Sequence, residues 1–141
     1  MNIETMKVLV VEPEKEPYVK EISSGLSSLQ KEVGGYIEAV YPFEDPVAII
    51  CNEEGKLEGL PLNRALRDED GHVYDIIAGT FLIAGLSEDN FCSLDDEQIE
   101  KFSAMYKSPE LFMRFGSRTL VIPAEEKPKP DNEKKSMDME R

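Results

Sequence analysis

The chain contains little of what common catalytic and metal sites require. It has one histidine, two cysteines and no tryptophan among 141 residues. Cys51 and Cys92 are isolated from each other and from any second pair, so their spacing indicates neither a disulfide framework nor a zinc site. A zinc site at His72, the single histidine, would have to be completed by carboxylates, which is unusual. We therefore expect no metal and no cofactor, and a reducing cytoplasm is the default location.

Long apolar runs are missing as well. Glycine or charge interrupts each run well before it reaches membrane-spanning length, so no membrane partner is expected. Residues 1–16 carry no basic segment ahead of a long apolar core and no small-residue cleavage site. That pattern argues against a secretory signal.

Positive charge is scarce. The chain has 16 basic and 29 acidic residues, which gives a net charge of −13. Residues 1–123 alone hold 11 basic and 23 acidic residues, so the excess does not come from the tail. A nucleic-acid backbone requires a basic patch, and direct nucleic-acid binding is therefore not expected. Solubility is the first explanation of the acidity, ahead of imitation of a polyanion or docking to a basic partner.

The apolar pattern of the first half predicts short strands and one helix. A Val-rich run predicts a strand over about 6–12, and a weaker alternation near residues 18–22 suits an antiparallel partner. Leu26, Leu29 and Val33 then fall at helical spacing. Ser24 is the expected N-cap of this helix, and Gly34 lies where the helix needs a residue able to take positive φ.

The segment after the paired glycines predicts a strand over 36–41 and then a hairpin. In that hairpin the run 47–51 meets the turn "NEEGK", with Gly55 in a left-handed position. The following "NRALRDEDG" predicts one or two helical turns with Asn63 as N-cap. The run "DIIAGTFLIAG" predicts a central strand, with Gly79 at a bulge or a close backbone approach.

The last third predicts a helix, a strand and a tail. "LDDEQIEKFSAMYK" has acids in its first turn and an apolar side, which favours a helix. "RTLVIP" suits a last strand. Residues 124–141 lack aromatic and β-branched side chains and are expected to be a disordered charged tail. We predict one α+β domain over 1–123, with an antiparallel sheet of five to six short strands and two helices packed on one face.

Three familiar motifs fail on inspection. Gly34 and Gly35 follow a helix and precede a strand, so the helix would present its carbonyl end, whereas a phosphate site requires the reverse order. Aligning Gly71 with the sixth place of a calcium loop puts apolar Leu66 first and Ile77 last. A Cys–His catalytic pair is disfavoured because His72 lies in a predicted exposed loop and Cys51 in a predicted buried strand.

Polar residues at strand ends are the better candidates for binding. Asn52, Asn63 and Arg64 stand where strands end and turns begin, and such residues can converge at one rim of a sheet. Capping and turn chemistry explain the same residues without a ligand. Glu38, with Glu44 and Asp45, offers carboxylates, but nothing in the spacing selects them for acid–base work.

Three blocks in order, "LQKEVGGYIEAV", "NEEGKLEGLPLN" and "IIAGTFLIAG", resemble a family of small domains of unknown function from phages and conjugative elements of gut bacteria. The resemblance covers about residues 6–122. It implies a phage or mobile-element context and no reaction, since the family brings no catalytic residues. The matching positions are Gly34, Gly35, Tyr36, Ile37, Glu38, Asn52, Glu53, Gly55, Leu60, Pro61, Asn63 and Gly79.

Function is therefore expected to be binding. The first hypothesis is a non-enzymatic accessory or counter-defence factor that contacts a host protein, with Glu38, Asn52, Asn63 and Arg64 as its binding residues. A second is a sponge for a nucleotide signal, which requires cations such as Lys56, Arg64, Arg114 or Arg118 to gather. A third is an acidic DNA mimic with carboxylates in a phosphate-like row. An enzyme is the least supported class.

Overall fold

The strands and helices follow from a computed structural model, which describes residues 4–123. The strands are β1 Thr5–Val11, β2 Tyr18–Ser23, β3 Ile37–Val40, β4 Val47–Asn52, β5 Leu62–Arg67, β6 Val73–Ala78, β7 Phe81–Leu86, β8 Phe91–Cys92, β9 Glu110–Phe115 and β10 Arg118–Pro123. The helices are α1 Leu26–Val33 and α2 Asp96–Met105.

One six-stranded antiparallel sheet forms the centre of the described chain. Its strands lie in the order β2-β1-β7-β4-β3, and the short β8 also pairs with β7. Two hairpins, β5–β6 and β9–β10, form separate two-stranded sheets. The predicted α+β class with an antiparallel sheet is confirmed.

The central strand is β7. It pairs with β1 on one side and with β4 on the other. Its first five residues are buried, which is what a strand covered on both faces requires. The predicted single strand over the run "DIIAGTFLIAG" is in fact divided: β6 belongs to the small β5–β6 sheet, and the chain changes sheet at Gly79 with φ of 84°.

The two helices lie on opposite faces of the central sheet. Alternate residues of β1 belong to different cores: Leu9 packs in the cluster that contains Phe102 of α2, and Val8 packs in the cluster that contains Leu29 of α1. Successive side chains of a strand point to opposite faces. The prediction that both helices pack on one face is therefore corrected. All residues of β4 and the first five of β7 are buried, so the middle of the sheet is covered on both faces.

The helix ends are defined by particular residues. Gly34 ends α1 with φ of 81°, and its N–H donates to the Gln30 carbonyl at 2.8 Å, as predicted. The N-cap of α1 is Gly25 without a side-chain bond, so Ser24 is not the cap. Helix α2 begins at Asp95 with a capping box, in which Asp95 and the side chain of Gln98 each accept the other's backbone N–H.

The segment after β4 differs most from the prediction. Strand β4 pairs with β3 and β7, and the expected hairpin with the chain after "NEEGK" does not form. The expected helical turns at Asn63 are strand β5, which pairs with β6. Gly55 does not take a left-handed conformation. A Cβ there would lie 2.7 Å from the Ala78 carbonyl oxygen, so Gly55 is needed for close packing.

The predicted last strand is confirmed as β10. Its partner β9 was not anticipated. Neither helix within residues 4–123 is long and apolar enough to cross a membrane. The predicted disordered tail, 124–141, lies outside the described residues.

Replacing Gly79 with alanine should destabilise the fold more than the same change at Gly59. Both glycines have positive φ, where an L side chain costs about 1 kcal/mol. A Cβ at Gly79 would also lie 2.7 Å from Leu60 Cδ1, whereas one at Gly59 would meet nothing within 4 Å. Overpacking adds about 1–3 kcal/mol at Gly79. Urea unfolding of both variants measures the difference, and equal losses would show that Leu60 moves aside freely.

Candidate functional site

The four residues predicted to bind a partner do not converge. Glu38 and Asn52 line a pocket of about 180 Å³, here named the acidic pocket. Asn63 and Arg64 lie on β5 in the interior, 0% and 1% exposed. Arg64 lines a different cavity, described below, and the two groups of residues therefore belong to different parts of the molecule.

Asn52 holds the end of α1 against the sheet. Its Nδ2 donates to the Val33 carbonyl at 3.2 Å, and its Oδ1 accepts the Glu54 N–H at 2.8 Å. The amide packs so closely on Gly35 that a Cβ there would lie 2.9 Å from Nδ2. This contact explains Gly35, and the polar atoms of Asn52 are largely used by the fold.

The acidic pocket carries an excess of carboxylates. Glu38, Glu53, Glu54 and Asp75 line it together with one cation, Lys56, which pairs with Asp75. Glu38 lies on the edge strand β3, and all five of these charged residues are exposed. Four carboxylates and one ammonium disfavour an anionic ligand here.

Cys51 lines the same pocket and is a weak nucleophile. Its Sγ donates to the Glu38 carbonyl at 3.7 Å. Burial, with smaller effects from Glu38 and Asp75, raises the pKa of the thiol to about 11. The thiol is therefore protonated at neutral pH. His72 is not among the residues that line the pocket, so it supplies no general base to Cys51.

Asn63 is a buried connector between sheets. Its Nδ2 donates to the carbonyls of Val11 and Gly79, both at 2.9 Å, and its Oδ1 accepts from Arg64 Nη1 at 2.8 Å. The first two bonds join the end of β1 to the point where the chain leaves the β5–β6 sheet. Both Nδ2 hydrogens and the Oδ1 atom of Asn63 are therefore bonded inside the protein, where a partner cannot reach them.

Arg64 binds backbone oxygens from distant segments. Its Nη2 donates to the Lys15 carbonyl at 2.7 Å and to the Tyr106 carbonyl at 2.8 Å. Tyr106 ends α2, so the guanidinium meets the negative end of the helix dipole. Desolvation lowers the pKa of Arg64, while the charge of Glu110 acts in the opposite direction.

Around Arg64 lies a cavity of about 230 Å³, here named the arginine cavity. Arg67 and Glu110 also line it and pair at 2.9 Å. The other oxygen of Glu110 accepts a hydrogen bond from the Ala65 N–H at 2.7 Å. It takes the place of the backbone carbonyl that a neighbouring strand would supply. Phe43, Met105 and Tyr106 complete much of the wall.

Asp68, Asp70 and His72 form an exposed cluster at the β5–β6 turn. One possible ligand atom from each lies within 4.8 Å of the others. The Asp68 Oδ1 accepts the N–H groups of Asp70 and His72, each at 2.9 Å. Turn formation accounts for these positions without an ion.

An exposed apolar surface was missed by the sequence analysis. In the β9–β10 hairpin, Met113 pairs with Leu120 and Phe115 with Arg118, so these four side chains share one face. Met113, Phe115 and Leu120 are 46%, 55% and 43% exposed. We name Met113, Phe115, Arg118 and Leu120 the hairpin face. The segment "ELFMRF" is typical of a strand. Because it has apolar side chains on both faces of that strand, the sequence does not indicate which face is exposed.

The opposite side of the hairpin lines a groove of about 580 Å³ against β6. Lys56 and Arg114 both line this groove, with Tyr74 and Thr119. Two of the four cations named for an anion site are thus brought to one place. Tyr74 is 57% exposed and leaves a ring available for stacking.

Comparison with known proteins gives one family. A family model described as a domain of unknown function, DUF3846, matches residues 6–107. No curated protein and no solved structure matches the chain.

Replacing Asn63 with alanine should destabilise the protein strongly. The change leaves the Val11 and Gly79 carbonyls without their buried donor and removes an acceptor from Arg64. We expect the free energy of unfolding to fall by about 2–4 kcal/mol. Chemical denaturation measures the loss. Asn90→Ala is the control, because Asn90 is exposed and should change the value by less than about 0.5 kcal/mol. Similar effects of the two changes would contradict the role given to Asn63.

Proposed function

The chain belongs to the DUF3846 family of domains of unknown function, and we propose that it is a non-enzymatic binding protein that contacts a host protein through the hairpin face. The context proposed for it is a phage or mobile element, acting in the host cytoplasm as an accessory or counter-defence factor. The proposal rests chiefly on one observation, the exposed hairpin face itself.

The residue types of the hairpin face are those enriched at protein interfaces. Aromatic residues, methionine and arginine are over-represented there, and carboxylates are depleted. Phe115, Met113 and Arg118 are of the first kind. Residues 111–123 contain no carboxylate, although the chain has 29. Burying a surface that has no carboxylate avoids the cost of desolvating one. Contact with a partner is therefore more favourable at this apolar surface than at the acidic surfaces of the chain.

The predicted binding residues are less suited to this role. Asn52 and Asn63 are buried and bonded within the fold. A partner would have to break those bonds to reach them. Glu38 is exposed and stays a candidate for a peripheral contact.

Capture from a bacterial host lysate tests the proposal. The wild type should retain a stoichiometric partner, and the double variant Phe115→Ser, Leu120→Ser should bind it roughly 30-fold more weakly, since two anchors of the face are lost. The matched control is Leu26→Ser, Tyr36→Ser, which removes two side chains that are 58% and 71% exposed elsewhere. Circular dichroism checks that both variants fold.

Three results would contradict the proposal. They are the absence of any stoichiometric partner, equal weakening by both double variants, and a dimer of the pure protein that Phe115→Ser and Leu120→Ser dissociate. The last result would assign the hairpin face to contact between copies of this chain.

A second candidate function is binding of a nucleotide signal in the groove. The observation that favours it is the shared position of Lys56, Arg114 and Tyr74, which could meet phosphates and a base. The pairing of Lys56 with Asp75 weighs against it, because this carboxylate already satisfies one cation.

A thermal-shift series with nucleotides tests the groove. A nucleotide that binds should raise the melting temperature of the wild type, and Arg114→Gln should abolish the rise because a phosphate contact is lost. Arg118→Gln is the control, since Arg118 lies on the other face of the same hairpin. No shift with any nucleotide, or the same response in both variants, would count against this function.

A further inference from the structure

Strand β3 is an edge of the central sheet that has no strand on its outer side. Within residues 4–123 it pairs only with β4. The Tyr36 carbonyl accepts the Glu53 N–H at 2.8 Å, and the bonds of an antiparallel pair recur at every second residue. Because Ile37 and Ala39 lie at the alternate positions, their N–H and C=O groups point away from β4.

These outward groups are two donors and two acceptors. No backbone group of residues 4–123 bonds to them. Charged side chains, lysine above all, discourage another chain from pairing with a sheet edge. The other edge strand of this sheet, β2, carries Lys20 and Glu21. The only charged residue of β3 is Glu38, which disfavours an acidic strand beside it and favours a basic one.

The acidic pocket borders this edge, because Glu38 belongs to both. Of the four carboxylates that line the pocket, Asp75 alone takes part in an ion pair, with Lys56. Those of Glu38, Glu53 and Glu54 take part in none of the ion pairs found within residues 4–123. The edge is therefore bordered by negative charge that no cation of the described chain neutralises by direct contact.

The arrangement of these carboxylates disfavours a single ion as the ligand. No three of them bring oxygens within 4.8 Å of one another, as the ligands of one metal ion would be. Several cations held at intervals suit such a surface better. In an extended chain, side chains on the same face recur about 7 Å apart, so a strand with lysine or arginine at alternate positions presents its cations in this way.

We propose that β3 accepts an extended basic segment of a partner protein as an additional strand of the sheet. The backbone of that segment bonds to the outward groups of Ile37 and Ala39, and its alternate lysine or arginine side chains lie beside the acidic pocket. A second copy of this chain is a poorer occupant, since each copy carries a net charge of −13 and brings the same carboxylates. This surface is distinct from the hairpin face and does not depend on the contact proposed there.

An NMR titration of the full chain with a peptide tests this surface. The probe is a hexapeptide of alternating lysine and threonine, acetylated and amidated at its ends. The amide signals of Ile37 and Ala39 should shift saturably, and those of the hairpin face should not. Replacing every lysine of the peptide with glutamate should weaken binding roughly 10-fold or more, because like charges then meet. Methylating every backbone nitrogen of the lysine peptide should weaken it by a similar factor, because no donor is left for the edge.

A proline substitution tests the edge on the side of the protein. Ala39→Pro removes an outward N–H without breaking a bond to β4, and proline is tolerated at such positions of an edge strand. We expect it to weaken the lysine peptide roughly 5-fold. Val19→Pro is the matched control on β2, where the bond from Ser24 N–H to the Glu4 carbonyl places the Val19 N–H outward by the same alternation. It should leave the affinity within about 2-fold.

A charge reversal provides a second test that leaves the backbone intact. Glu38→Lys should weaken the lysine peptide more than Glu88→Lys, which changes the net charge equally at an exposed loop position. Where Ala39→Pro does not fold, this pair of variants and the methylated peptide decide.

Four results would overturn the proposal. They are the absence of a saturable shift at β3, equal weakening by Glu38→Lys and Glu88→Lys, undiminished binding of the methylated peptide, and self-association of the pure protein that Ala39→Pro abolishes. The last result would assign this edge to contact between copies of the chain.

Discussion

The buried pair Asn63 and Arg64 is the interaction on which the arrangement of the outer elements depends. Through side-chain donors the pair reaches the carbonyls of Val11, Gly79 and Lys15, and that of Tyr106 at the end of α2. These oxygens lie at the ends of elements, where no strand or helix partner is available. Because two adjacent residues of β5 satisfy all of them, the small β5–β6 sheet, the β1–β2 turn and α2 are fixed relative to the central sheet. A substitution of either residue therefore removes hydrogen bonds to several of these elements at once.

The same interaction limits which polar side chains are available at the surface. Asn63 is buried and its side chain is bonded within the fold. The same holds for Asn52, which bonds to the end of α1. Four exposed carboxylates, those of Glu38, Glu53, Glu54 and Asp75, line the acidic pocket. The β9–β10 hairpin, through which we propose that a partner binds, carries exposed apolar side chains and no carboxylate over residues 111–123.

The parts of the fold that the sequence could predict are those set by local patterns. Gly34 follows an apolar stripe at helical spacing, and α2 begins with a capping residue and acids, so both helices could be placed from neighbouring residues alone. Strand β10 was predicted because its residues are β-branched and apolar. Pairing partners could not be predicted, because β4 meets β7 and β1 meets β7 across long stretches of chain. The placement of the helices on opposite faces of the sheet follows from this long-range pairing, so it could not be predicted from local patterns either.

Asn63 and Arg64 show where local reasoning about the site fails. The segment "NRALR" suits a capped helical turn by propensity, and the residues before it suit a turn. Its conformation is instead determined by the acceptors that it meets in the folded protein, which belong to residues as distant as Val11 and Tyr106. Propensity is a weak signal, and a network of buried hydrogen bonds overrides it. The two residues were expected at a rim of the sheet, and the structure places both of them in the interior.

Stability alone does not explain a guanidinium at position 64. An apolar side chain of similar volume avoids the desolvation of a charge, and such replacements of buried ions are often neutral or stabilising. The helix dipole and three backbone carbonyls compensate for part of the cost of Arg64. They do not satisfy Nε, and they provide no full negative charge. The four bonded Nη donors therefore offset part of the cost of burying Arg64, and the unbonded Nε is the part of that cost which the fold leaves uncompensated.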